Sequence, residues 1–385
     1  MEFGWNDEFE QFRQEVRTWA RDFRTPELAL ELREMEDGQP PAHLAKKIRD
    51  TVDERGWMRM CWPPELGGQG KSPWYQFILV EELSRADVPY SLGAAGMIGP
   101  AIALFGTPEQ KQRYLPPLWS GAMSCTLGYS EPNAGTDLAS LETTARREGD
   151  EYVINGQKIW TSGAHRATHV WLAARTDPAA PKHRSISMFI VPLDSPGISV
   201  RPIYTMSGVR TNETFYEDVR VPTSALIGEE NRGWYTAANA LDHERVSIGA
   251  GVEWMLAFER LVAFAKGDGR LRDRAASRRL AEASLDLHAQ RALALLNADI
   301  VAHGDTPTME ASMSKVWSTE LVYRLTSSAI DLMGRAGVLA SESEEAPLGG
   351  EFELGFRASP IRRFGGGTNE VQRNIIAQRG LGLPR

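Results

Sequence analysis

Residues 151–160 read EYVINGQKIW, and the reading of this stretch decides the class of the fold. Its first four residues are rich in strand formers, and Asn155-Gly156 supplies the positive φ angles of a type I′ turn, so the spacing predicts a tight hairpin here. The same texture continues in VWLAA (170–174) and ISMFIVP (186–192), with a further turn signal at Gly149-Asp150. Parallel βαβ units need a long crossover between strands, and no helical run separates these segments. The middle of the chain is therefore expected to be all-β, a small sheet or barrel.

Outward from this centre the periodicity changes. Toward the N-terminus, Phe9, Phe12, Val16, Trp19 and Phe23 recur every three or four residues, the signature of a helix with one buried stripe. Further helices are expected over 42–55, 74–86 and 108–118, separated by WPPELGGQG (62–70) and by Gly/Pro breaks near Gly99. After Gly233 helical periodicity returns in 234–265, 275–303, 308–333 and 369–378. The order is helical, β, helical.

Bulk properties limit what such a chain does. With 385 residues it can bury a large core shared by two or three domains. A formal charge of −8 leaves no basic excess to displace counterions, so nucleic acid is not expected as a partner. Cys61 and Cys125 lie far apart and outside CxxC spacing, which supports neither a disulfide framework nor zinc. His165, His169, His243, His288 and His303 lack metal-ligand spacing, and no metal is expected. The Arg-rich run RLRDRAASRR (270–279) reads as the solvated face of a helix. The N-terminus MEFGWNDEFE has no basic region followed by an apolar run, and no apolar stretch nears the roughly 18 residues that cross a bilayer. A cytoplasmic protein without a membrane anchor is expected.

Chemistry concentrates in LGYSEPNAGTDLASLETTA (127–145), where Tyr129, Ser130, Asn133, Gly135 and Thr136 crowd one turn. Short hydroxyls and accessible amides there suit either a surface loop or a grip on a polar heterocycle. INGQKIWTSGAH (154–165) then places Trp160, Thr161 and Ser162 just past the expected hairpin, with Trp160 readable as core or as a ligand-facing ring.

These two stretches resemble the acyl-CoA dehydrogenase family, whose signatures read like TEPxAGSD and GxKxWITNG. The likeness spans nearly the whole chain: WPPELGGQG, GTPEQKQRYLPPL (106–118), SEPNAGTDLASL (130–141), NGQKIWTSGA (155–164), YEDVRVP (216–222) and GGGTNEVQRNIIAQRGLG (365–382) occur in the family's order. The resemblance implies a mainly α protein with a central all-β domain: a helical domain over 1–122, a β-barrel over 123–232 and a four-helix bundle over 233–385. It also implies FAD between barrel and bundle. Leu127, Tyr129 and Ser130 would face the isoalloxazine, and Trp160, Thr161 and Ser162 would cover its other side. Thr136 would lie near the CoA of an acyl-CoA substrate, while Thr368 and Glu370 would touch the ADP portion of the flavin.

The implied reaction desaturates a thioester between Cα and Cβ and needs one carboxylate as base. Many family members carry it in a YEGT motif, but Gly366 stands at that place within Phe364-Gly365-Gly366-Gly367-Thr368. A subset that includes the isovaleryl-CoA type carries it on a bundle helix in a motif like LDLER. Leu241-Asp242-His243-Glu244-Arg245 matches, making Glu244 the candidate base, with Asp242 and Arg245 beside the substrate. Desolvation would raise the pKa of Glu244 and Arg245 would lower it. Gly366 retains a backbone amide able to donate to the thioester oxygen as enolate charge develops.

Two flavin-binding motifs depart from the pattern. AFAKGDGRLRD (263–273) stands where RxxFG is usual, and in 331–337 Asp331 replaces a neutral amide and Arg335 a glycine. A carboxylate repels a diphosphate, and Arg obstructs close backbone approach. The expectation is a tetramer of the α2β2 kind, shared with a homologous subunit and holding fewer flavins than chains, as in the similar bacterial enzymes that act on steroid side chains. A steroid side-chain CoA ester is the expected substrate and an electron-transferring flavoprotein the acceptor. Competing readings are an acyl-CoA oxidase or flavin monooxygenase on the same fold, and a noncatalytic homologous subunit.

Overall fold

The computed structural model describes residues 6–23, 43–88, 93–237 and 252–384. Helices α1 (Asp7–Arg21), α2 (His43–Glu54), α3 (Pro73–Arg85), α4 (Gly93–Phe105) and α5 (Pro108–Ser120) come first. Strands β1 (Cys125–Gly128), β2 (Thr144–Glu148), β3 (Glu151–Lys158), β4 (His169–Arg175), β5 (Ile186–Pro192), β6 (Ile198–Tyr204), β7 (Arg210–Pro222) and β8 (Leu226–Ile227) follow. Helices α6 (Val252–Gly267), α7 (Arg274–Ala302), α8 (Met309–Met333), α9 (Glu351–Phe364) and α10 (Asn369–Ile375) end the chain. The mainly α fold with an all-β centre is as expected. Caps fix several boundaries: the Asn6 side chain accepts from the Phe9 amide, and Thr107 with Gln110 forms a reciprocal capping box on α5.

Packing divides the chain into two compact units. One holds Phe23–Lys71 and Tyr90–Glu244, the other Met1–Asp22, Ser72–Pro89 and Arg245–Arg385. The first 122 residues therefore contribute to both.

The unit with the strands is built on one sheet in the order β6-β7-β3-β2-β4-β5-β8, with β1 parallel to β4. Alternation along each strand serves two cores. Val170, Leu172 and Ala174 join Tyr152, Ile154, Phe189 and Val191 in one cluster. Trp171, Ala173, Met188 and Ile190 point the other way and pack with Ile98 and Ile102 of α4 and Tyr114, Leu118 and Trp119 of α5.

Two local expectations fail here. The hairpin lies at Gly149-Asp150, where Glu148 pairs with Glu151, while β3 continues through Asn155 and Gly156. These two residues form an irregularity against β7, where the register shifts between Ile154 and Gly156. Gly156 has φ +150°, and a Cβ on it would fall 2.5 Å from the Thr143 hydroxyl oxygen, so close approach rather than turning demands glycine. The Asn155 amide instead bonds across to Asp218, donating to its carboxylate and accepting from its backbone N–H. Likewise Gly99 and Pro100 do not break the chain but lie inside α4. A Cβ at Gly99 would come within 2.7 Å of the Trp62 ring, so that glycine is a packing residue.

In the second unit, Trp254 and Leu261 of α6, Leu280 and Leu287 of α7, Leu321 and Leu325 of α8 and Phe352 of α9 share the core of the helical bundle. Helices α1 and α3 meet through Phe9 and Phe12, whose rings pack edge-on against Tyr75. Full burial of Phe12 contributes about 1.5–3 kcal/mol, and half-buried Phe9 less. Beside them the Arg13 guanidinium donates to buried Glu81 at 2.7 Å and buried Glu82 at 2.5 Å, and Arg291 of α7 donates to Glu81 at 2.8 Å.

Burial alone would raise the pKa of Glu81, but Arg291 and Arg13 together hold it below the ordinary glutamate range. A depressed folded pKa stabilises fully above the unfolded-chain value and is lost as acidification passes through the folded value. Urea titrations at descending pH should show stability falling below the ordinary glutamate range, with a shallower fall in Glu81→Gln. Equal slopes would show that this cluster carries no proton linkage.

Among the described residues no helix is long and apolar enough to cross a membrane. Of the Arg-rich run, Arg278 and Arg279 lie on α7 with about half or more of each side chain in solvent, pairing with Glu282 and Asp331.

Candidate active site

Lys158 closes β3 and is fully buried, an environment that an ammonium occupies only with partners. Its Nζ donates to the Glu131 carboxylate at 2.7 Å and to the Tyr129 carbonyl at 3.1 Å. Glu131 also accepts from the backbone amides of Glu142 (2.6 Å) and Thr143 (2.9 Å). Burial pulls the Lys158 pKa down to about 8, with Glu131 opposing that shift. Burial pushes Glu131 upward, but Lys158, Thr143 and Glu142 prevail and keep it below the ordinary glutamate range, so the pair is ionised at neutral pH.

This pair draws together the two stretches that carry the expected site. The Ile159 amide donates to the Ser130 carbonyl at 2.9 Å, and the Thr126 hydroxyl donates to the Ser162 carbonyl at 2.6 Å. The 126–130 segment, with Leu127 on β1, thus runs alongside the 159–162 segment, joined at Ser130–Ile159 and Thr126–Ser162. The Tyr129 hydroxyl is anchored by the Trp171 indole N–H at 2.9 Å. Glu131 and Ala134 exchange backbone hydrogen bonds and tighten the loop that carries Thr136, which stands exposed beyond it.

Trp160 has φ +61° and remains 57% exposed. A left-handed backbone at a bulky residue costs about 1–3 kcal/mol and persists only where its surroundings enforce it. The Thr161 amide donates to the Asn212 carbonyl, and the Asn212 side chain donates to the Thr161 carbonyl, both at 2.9 Å. The Ser162 hydroxyl donates to that of Thr211 at 3.1 Å. Among the described residues β1 pairs with β4 alone, which leaves its second edge without a partner strand, and the Trp160 indole is exposed. That combination fits a flat heterocycle with polar edges.

In the helical unit, Gly366 and Gly367 have φ +65° and +88°, which explains glycine in this turn. Buried Lys315 of α8 fastens it, donating to the Arg363 carbonyl at 2.9 Å and the Asn369 side chain at 2.8 Å. Gln372 donates to the Gly366 carbonyl at 3.3 Å. The Thr368 hydroxyl caps α10 by accepting from the Val371 amide, and the Glu370 side chain is exposed. Asp331 is paired with Arg279 at 3.2 Å, and Arg335 is exposed. Asp242, Glu244 and Arg245 lie outside the described residues.

Sequence reasoning did not single out Lys158, Glu131 or Asn212. The available signal was the two-residue period of β3, which sets Lys158 in phase with Tyr152 and Ile154 on a buried face, where an ammonium demands an acid brought from elsewhere in the chain.

Models of the acyl-CoA dehydrogenase N-terminal, middle and C-terminal domains match residues 6–122, 126–219 and 231–381. Acyl-CoA dehydrogenase FadE26 of Mycobacterium tuberculosis is 37% identical, with 100% of this chain and 99% of that protein aligned. The solved structure described as the Tcur3481-Tcur3483 steroid ACAD superposes with a TM-score of 0.91 at 38% identity, covering 100% of both chains. A chain of the ChsE4-ChsE5 complex from Mycobacterium tuberculosis gives 0.88 at 38% identity, again over 100% of both.

Proposed function

The chain belongs to the acyl-CoA dehydrogenase family, and from that premise we propose that it carries out FAD-dependent α,β-dehydrogenation of a steroid side-chain CoA ester. The observation that carries this reading is the run of the 126–130 segment alongside the 159–162 segment, held by the buried Lys158–Glu131 pair. Leu127, Tyr129 and Ser130 would offer hydrogen bonds to the ring edge, and Trp160, Thr161 and Ser162 would cover its face. Thr368 and Glu370 would serve an ADP portion. FAD, when bound, supplies a hydride acceptor at N5 for the substrate's β-hydrogen.

The residues of the chain do the rest. Glu244 takes the α-proton, and the Gly366 amide donates to the thioester oxygen as negative charge gathers there. Thr136, Asp242 and Arg245 bind on the substrate side. The steroid reading draws on the printed description of the Tcur3481-Tcur3483 structure, and the pairing with a homologous subunit on that of the ChsE4-ChsE5 complex. The same inference places the protein in the cytoplasm as an α2β2 tetramer that passes electrons to an electron-transferring flavoprotein.

Flavin counting tests the assembly. The chain purified alone should hold little FAD, and co-purification with a homologous subunit should restore it to fewer than one flavin per chain. One flavin on every chain of a homotetramer would overturn the shared-site reading. A colourless complex would overturn the flavin reading.

A further inference from the structure

The exposed indole of Trp160 lies past the regular part of the sheet, where one further backbone bond, from the Thr161 amide to the Asn212 carbonyl of β7, and a turn bond from the Ser162 amide to the Trp160 carbonyl fix the chain. The β3–β7 ladder ends where Lys158 pairs with Thr214, two residues earlier. A tryptophan with φ +61° and 57% of its surface in solvent gains little from packing within the described residues, so its strain has to be imposed by a neighbour.

That neighbour is Asn212. It is fully buried and brackets Thr161 from both ends, its carbonyl accepting from the Thr161 amide and its side-chain Nδ2 donating to the Thr161 carbonyl. The bracket is itself locked. Arg210 Nε donates to Asn212 Oδ1 at 3.0 Å, and His165 Nδ1 lies 3.2 Å from Asn212 Nδ2. Because Nδ2 only donates, His165 Nδ1 accepts, and both hydrogens of the amide are used. A rotated amide would set oxygen against the Thr161 carbonyl, so only one orientation fits.

Resting on the flavin reading above, we propose that Asn212 is a positioning residue, acting through the Thr161 peptide to hold the Trp160 indole over the ligand that occupies this sheet end. It touches neither substrate nor cofactor. Without its side chain the backbone bond to Thr161 survives, but the Thr161 carbonyl keeps only the longer bond from the Ala164 amide (3.2 Å), so residue 160 can relax to negative φ, swinging the ring away.

The experiment is a double-mutant cycle with Asn212→Ala, Trp160→Ala and the pair, made in the flavin-loaded complex. Single-turnover flavin reduction is followed with a steroid side-chain CoA thioester and with isovaleryl-CoA. Asn212→Ala is expected to slow reduction about ten- to hundredfold, in the range that small misplacement produces. The pair should be no slower than Trp160→Ala alone, since a residue acting only through the indole has nothing further to lose. Multiplying effects, or an Asn212→Ala rate equal to wild type, would overturn the proposal.

Hydrogen exchange gives a second reading that needs no flavin. Peptides covering 158–164 should exchange faster in Asn212→Ala while those covering β4 stay protected. Acceleration of both would mark Asn212 as a general prop of the sheet and refute its positioning role. If the wild-type complex itself lacks flavin, the functional reading fails, and the exchange result alone decides whether Asn212 holds this turn.

Discussion

Glu244→Gln is expected to yield a protein that still takes up flavin but is reduced by acyl-CoA about a thousandfold more slowly, within the range for removing a general base. Glutamine keeps the size and hydrogen-bonding reach of the side chain and loses only its ability to take the α-proton. The position where many relatives keep a carboxylate is Gly366, which has no side chain and whose left-handed backbone suits glycine. Glu244 therefore has no substitute at the turn. Glu244→Asp should recover part of the rate, because the carboxylate is retained at a shorter reach. Rapid-mixing absorbance of the oxidised flavin band is the measurement, and undiminished reduction in Glu244→Gln would remove the residue from the mechanism.

Lys158→Met should have the largest effect on stability. The substitution removes the cation from a carboxylate that stays buried and bonded only to the Glu142 and Thr143 amides. Breaking a buried pair from one side costs about 3–5 kcal/mol, whereas replacing both members with apolar side chains is often nearly neutral. Because Glu131 also accepts from two backbone amides, the partner change that removes the charge without orphaning them is Glu131→Gln, and Lys158→Met with Glu131→Gln should recover part of the loss. Urea unfolding with an unchanged slope is the check, and a shift below 1 kcal/mol for Lys158→Met would mean that the carboxylate finds water or another cation.

The helical, β, helical order was legible because the apolar period changes from three or four to two and back, and that period is set by local geometry. Helix α1 shows its buried stripe directly in Phe12, Val16 and Trp19. Asn155-Gly156 misled because glycine serves close approach as readily as turning, and only the position of Thr143 tells them apart. Gly99 misled for the same reason, its partner being the Trp62 ring. Within the candidate site the residues proposed to face the ligand could be named through resemblance, since they lie in contiguous motifs. The residues that hold them were not: Glu131 meets Lys158 across 27 positions and Asn212 meets Thr161 across 51, and no local pattern announces such pairings.

The cluster of Arg13, Glu81 and Arg291 has a consequence for how the chain is made. Glu81 and Arg291 are separated by 210 residues. A ribosome adding about 5–20 residues per second leaves α1 and α3 waiting some 10 to 40 s for α7 to emerge. During that interval two apolar stripes and a buried-to-be carboxylate face solvent, while most of the strand-bearing unit is synthesised between them. Nascent chains stalled before α7 should accordingly be the form that chaperones hold longest.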